Sequence, residues 1–89
     1  MSYLARIYVT PRADVLDPQG AAVGNALHSL GFDEVGEVRV GRYLEVELAG
    51  HDPAAAEARL KAMCEKLLTN PVVEDYTFEL ASQDQGADS

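Results

Sequence analysis

The chain predicts an α+β fold, a two-layer sandwich with two helices on one face of a small, mainly antiparallel sheet. Three observations predict it. Two Asp-Pro pairs, Asp17-Pro18 and Asp52-Pro53, each open a stretch with apolar residues at helical spacing. Stretches of alternating parity lie before, between and after them. The order strand, helix, strand region, helix, strand gives each helix one apolar stripe, and a stripe of that kind needs a sheet to cover it.

The first strand spans Tyr3 to Val9. Tyr3, Ala5, Ile7 and Val9 share one parity, and Leu4, Arg6, Tyr8 and Thr10 share the other. Both faces carry apolar groups, which marks an inner strand. Pro11 stops it, because proline has no amide proton for the ladder. Asp17 is an N-cap whose carboxylate accepts from free amides of the first turn. Pro18 occupies the first helical position, where a missing N–H costs nothing. The helix runs to about Leu30, with Val23, Leu27 and Leu30 as its inward stripe. Gly31 is its left-handed stop, and Phe32 folds back onto the helix end.

In the stretch EVGEVRVGRYLEVELAG, residues Val38, Val40, Leu44, Val46 and Leu48 share even parity. A two-residue hairpin loop at Gly41-Arg42 would put the two halves on opposite faces, because paired residues share a face. A three-residue loop, Gly41-Arg42-Tyr43, keeps the face, and so does one long strand. Both options stand, and the long strand exposes an edge that invites pairing with another chain. With the hairpin the order becomes βαββαβ, ferredoxin-like.

The second helix runs from Pro53 to about Thr69, with Ala56, Leu60, Met63, Cys64 and Leu67 facing in. Asn70-Pro71 ends it, since the residue before proline avoids helical geometry. The last strand spans Val72 to Leu80, with Val72, Tyr76, Phe78 and Leu80 on one face. Residues 1–81 form a single domain. The tail from Ser82, SQDQGADS, has no apolar anchor and is expected to be disordered.

At 89 residues the chain is one small domain, and 47% hydrophobic residues suffice for a core. One cysteine excludes an internal disulfide and fits a cytoplasmic protein. No apolar run approaches the roughly 18 residues of a membrane span, and the first ten residues do not resemble a signal peptide. A net charge of -8 repels phosphate backbones and anionic lipid, which argues against nucleic-acid and membrane binding.

Catalytic constellations are scarce. There is no Cys-x-x-Cys and no glycine-rich phosphate loop. Cys64 lies on the apolar stripe of its helix, where it reads as a buried small hydrophobe. His28 and His51 have no further ligand at zinc spacing, so no metal site is expected. No catalytic residue is assigned. Two stretches point instead to partner contact. Arg39-Val-Gly-Arg42-Tyr43 is a basic-aromatic spot on an acidic chain, and Arg and Tyr are enriched at interface hot spots. Asp17-Pro-Gln19-Gly20 opens the first helix with a glycine that weakens the first turn by up to about 1 kcal/mol, which suggests a close backbone approach. The first stretch also reads simply as a solvated turn or strand edge and the second simply as a helix cap; Asp17, Gln19, Gly20, Arg39, Arg42 and Tyr43 are the candidate contact residues.

The segments YVTPRADVLDPQG, ALHSLGF, EVRVGRY and MCEKLLTNPVVEDYTFEL, in this order, resemble the PurS family over about Tyr3 to Leu80. Pro11-Arg12 departs from the residues often found there. The resemblance implies the small, non-catalytic subunit of phosphoribosylformylglycinamidine synthase, in purine biosynthesis. It implies a dimer that binds the synthetase subunit PurL and the glutaminase subunit PurQ and helps pass ammonia between them. ATP, Mg2+ and glutamine would act in those partners, with no cofactor in this chain. Two rival readings stand beside it: an ACT-like module, which shares the βαββαβ order and binds amino acids, and a stand-alone, acylphosphatase-like enzyme. The second needs an anion loop, and no such motif surrounds Arg12.

Overall fold

The computed structural model describes residues 2–83. Strand β1 (Ser2–Pro11) leads to helix α1 (Pro18–Ser29), strand β2 (Arg42–Ala49), helix α2 (Pro53–Met63), a π-helical turn (Cys64–Leu68) and strand β3 (Glu74–Ser82). The sheet order is β2-β1-β3 with both pairings antiparallel. The α+β class, the two helices and the central position of the first strand are as expected.

Register sorts the side chains. Ile7 pairs with Leu44 on one side and Phe78 on the other, and Ala5 pairs with Val46 and Leu80. Paired residues share a face, so these six meet on one side of the sheet. Helix α2 covers that side. Ala5, Ile7, Leu60 and Cys64 are fully buried there, with Tyr3, Val9, Leu48 and Ala56 completing the core. The opposite face carries Leu4, Arg6, Tyr8, Tyr43 and Glu45 and stays open. Tyr8 and Tyr43 pair across it with ring centroids 5.2 Å apart.

Four expectations need correction. First, the middle region is neither a hairpin nor one long strand. The chain joins the sheet only at Arg42, and residues 36–41 run beside α1 without a strand partner. The Val38 side chain packs beside Gly24 of α1, while Leu44, Val46 and Leu48 face the core. Among the described residues there are three strands, so the βαββαβ order on which the ACT-like reading rests is not formed.

Second, the stripe Val23, Leu27 and Leu30 does not join the core, and only Leu27 is half-buried. Val23 is 43% exposed and Leu30 73%, and no residue of α1 belongs to the core cluster. The helix buries only Gly20 and Gly24. The radius of gyration, 17.1 Å, exceeds the roughly 12 Å of a compact chain of this length, as a helix standing off the core requires.

Third, α2 ends in a π turn, and Leu67 does not face in. The Thr69 N–H reaches five residues back to the Cys64 carbonyl at 2.9 Å, and the Thr69 hydroxyl donates to the same oxygen at 2.8 Å. A π turn takes more residues per turn than an α-helix. Leu68 therefore falls beneath Cys64 and packs on the core, while Leu67 is 82% exposed.

Fourth, β3 starts and ends two residues later than expected. Asn70 folds the chain first: its carbonyl accepts from Val73 and Glu74, and its side chain accepts from Val72 at 3.2 Å. Val72 is left outside, 78% exposed. At the other end Ser82 pairs with Tyr3, and the Gln83 N–H donates to the Ser2 carbonyl at 2.9 Å, so the expected tail begins inside the sheet. Residues 84–89 of that tail lie outside the described residues.

Candidate subunit-contact site

Asp17 organises the start of α1. One carboxylate oxygen accepts from the Gly20 N–H at 3.0 Å, which satisfies a free amide of the first turn. The other accepts from the Val40 N–H at 2.9 Å, twenty-three residues on. The cap thus doubles as a clasp on the extended segment. The Gly20 bond, then the Val40 bond, hold the Asp17 carboxyl below its ordinary value of 3.8, with Arg39 adding a smaller attraction.

The close approach that Gly20 suggested is internal to the chain. A Cβ at Gly20 would overlap the Val38 carbonyl oxygen, and Gly24 meets the Val38 side chain at van der Waals distance. Two small residues four apart make a shallow column on α1 into which residues 36–40 lie. At the far end, the His28 Nε2–H donates to the Val35 carbonyl at 2.7 Å. The helix closes as the sequence indicates. Gly31 has φ +98°, its N–H donates to the His28 carbonyl, and the Phe32 N–H donates to the Leu27 carbonyl.

Arg42 ties three elements together. Its guanidinium makes a bidentate pair with Glu74, at 2.8 and 2.9 Å, and donates to the Leu68 carbonyl at 2.7 Å. The last turn of a helix presents carbonyls without partners, and a cation there satisfies one of them. Arg42 holds the Glu74 carboxyl below its ordinary value of 4.5, and the Asn70 N–H adds to this. Gly41, just before, is required by space, since a Cβ there would strike the Val9 carbonyl.

The six expected contact residues do not form one patch. Asp17, Gly20 and Arg39 line a groove between α1 and residues 36–39. Asp17, Gln19 and Arg42 line a second groove, between the start of α1 and the end of the sheet. Tyr43 stands apart on the open sheet face, 48% exposed, and its hydroxyl donates to Glu45 at 2.7 Å. Neighbouring strand residues point to opposite faces, so the Arg42-Tyr43 spot is split by the pleat. Arg42 is engaged within the chain, and Arg39 and Gln19 are exposed.

Cys64 is fully buried, and burial pushes its thiol above the ordinary value of 9.0. It is held as the thiol, the poorer nucleophile.

What sequence reasoning missed is apolar surface. Leu16 (82% exposed), Val23, Leu30 and Phe32 are open around α1. The available signal was the pair Gly20 and Gly24, which marks the buried side of α1 as one that takes a backbone rather than a core.

The family model for phosphoribosylformylglycinamidine (FGAM) synthase, PurS, matches residues 4–82. The chain is 49% identical over 81 residues to the synthase subunit PurS of Synechocystis, covering 91% of this chain and 81% of that one. The chain belongs to the PurS family. Members of this family are FGAM synthase subunits of purine biosynthesis. The fold agrees. The Bacillus subtilis PurS structure superposes with a TM-score of 0.81 at 44% identity, covering 90% of this chain and 99% of that one. A chain in the structure of PurLQS from Thermotoga maritima superposes with a TM-score of 0.82 at 30% identity, covering 90% and 98%.

Proposed function

We propose that this PurS-family chain is the non-catalytic assembly subunit of an FGAM synthase complex. In this reading it bridges a PurL-type synthetase and a PurQ-type glutaminase and supports passage of ammonia between them. The observation that carries the reading is the likeness, over nearly the whole described chain, to a chain found within PurLQS. ATP, Mg2+ and glutamine would act in the partner subunits. The exposed apolar residues of α1 favour self-association as well: Val23, Leu30 and Phe32 need cover, and a second copy in a homodimer would supply it. Asp17, Gln19, Gly20 and Arg39 lie at the grooves beside α1, where they would sit at or near such contacts. Arg42 would act behind them, by fixing the start of β2.

The test is turnover by the two partner subunits with and without this chain. Glutamine-driven synthesis is expected to require the chain, while ammonia-driven synthesis persists without it. Equal loss of both activities would remove the ammonia-transfer role and leave assembly. No response of either rate would sink the proposal.

A further inference from the structure

Edge strand β2 and helix α2 leave a groove between them whose floor and walls are Val46, Met63, Leu67 and Leu68, with Arg59 and Lys66 at the rim. Its most exposed apolar member is Leu67, at 82%. The π turn puts it there, by giving Leu68 the place on the core. Arg59 and Lys66 are both exposed, and neither enters an ion pair among the described residues. Arg12 and Arg42, by contrast, are engaged with Asp75 and Glu74. On a chain of net charge -8, two uncommitted cations flanking an apolar groove are a local inversion of the surface.

We propose that this groove docks an acidic, apolar-faced segment of another subunit of the synthase. An apolar side chain of that segment seats against Met63 and Leu67, and its carboxylates meet Arg59 and Lys66. Charge complementarity selects the occupant. The acidic surface elsewhere repels such a segment, and the groove attracts it while offering apolar area to bury. A helix laid in a groove uses anchors of this kind, with charged pairs setting orientation. The inference rests on the reading of the chain as a complex subunit, and it places the contact on the side of α2 rather than on α1.

The experiment uses the full chain with its synthetase and glutaminase subunits. Three versions are compared: unaltered, Leu67→Ser, and the pair Arg59→Glu with Lys66→Glu. Affinity for the assembled partners is measured by titration, and self-association of the chain alone by sedimentation. Both variants are expected to weaken partner affinity at least tenfold, with self-association and thermal midpoint unchanged, because the altered residues are exposed. Undiminished affinity in either variant overturns the proposal. Loss of self-association assigns the groove to a second copy and overturns it too. If the unaltered chain fails to enter the complex, the subunit reading itself falls, an outcome distinct from the others.

Discussion

Helices α1 and α2 start alike and end up held in different ways. Each begins with Asp-Pro, and in each the aspartate accepts from an amide of the first turn. Helix α2 then drops Ala56, Leu60 and Cys64 onto β1, and its π turn keeps the column going with Leu68. Helix α1 buries two glycines and holds a strip of extended chain through Asp17, Val38 and His28. One helix is fixed by apolar burial, the other by backbone approach and hydrogen bonds. A stripe in the sequence therefore says that a helix face needs cover, and says nothing about whether the cover belongs to the same chain.

The largest expected effect breaks the packed helix. Leu60 is fully buried, and Leu60→Ala should cost about 2–5 kcal/mol in urea unfolding, from lost transfer energy and the cavity left behind. Leu30→Ala, on the other helix, should change the isolated chain by no more than about 0.5 kcal/mol, as for exposed sites generally. Its effect should appear on self-association. Equal costs at the two positions would mean that α1 is packed in solution after all.

Next in size is the backbone contact of α1. Gly20→Ala forces a methyl group toward the Val38 carbonyl, and overpacking of this sort costs about 1–3 kcal/mol. The strip should lift from the helix, so hydrogen exchange at the Val40 amide should speed up more than at Ile7. Unchanged protection at Val40 would show that the glycine column does not hold the strip.

Much of this was legible in the sequence, and the misses share a cause. Both caps, the Gly31 stop and the faces of β1 and β3 follow from local stereochemistry and parity, which the chain states directly. The course of residues 36–41 does not follow, because extended backbone with even parity reads the same whether it pairs in a sheet or lies on a helix. Glycines at 20 and 24 resolve that only once the partner strip is known. The π turn was hidden too, since Leu67 and Leu68 are both plausible inward residues and a single wider turn chooses between them. The contact residues named from the sequence fall around α1, with Tyr43 the exception, because Arg42 and Tyr43 are adjacent in the chain and opposed in the pleat.

Arg42 sharpens the contrast on the packed side. Its pair with Glu74 is partly exposed, so screening discounts it, and the Leu68 carbonyl adds one charge-assisted bond. Arg42→Ala should cost about 1 kcal/mol in all. Arg39→Ala, whose side chain makes no hydrogen bond among the described residues, should leave stability nearly unchanged. If Arg39→Ala nonetheless weakens assembly, the two arginines divide into one that builds the surface and one that meets the partner.

The smallest effect concerns acid, and it separates the helices once more. Asp17 and Glu74 both have carboxyls held below their ordinary values, by the Gly20 and Val40 amides in one case and by Arg42 in the other. A carboxylate depressed in the folded state stabilises it above the unfolded value, and that contribution is lost as pH falls through the folded one. Stability should thus decline below pH 4.5 for Glu74 and below pH 3.8 for Asp17, and hold steady from there up to neutrality as far as these two groups decide it. Asp17→Asn keeps one acceptor where two are needed, so either Gly20 or Val40 loses its bond even at neutral pH. Acid unfolding followed at the Val40 amide should therefore lose its dependence on pH in that variant, while the core amides of β1 keep theirs through Glu74. Retained acid sensitivity at Val40 would assign the clasp to a titratable group other than Asp17.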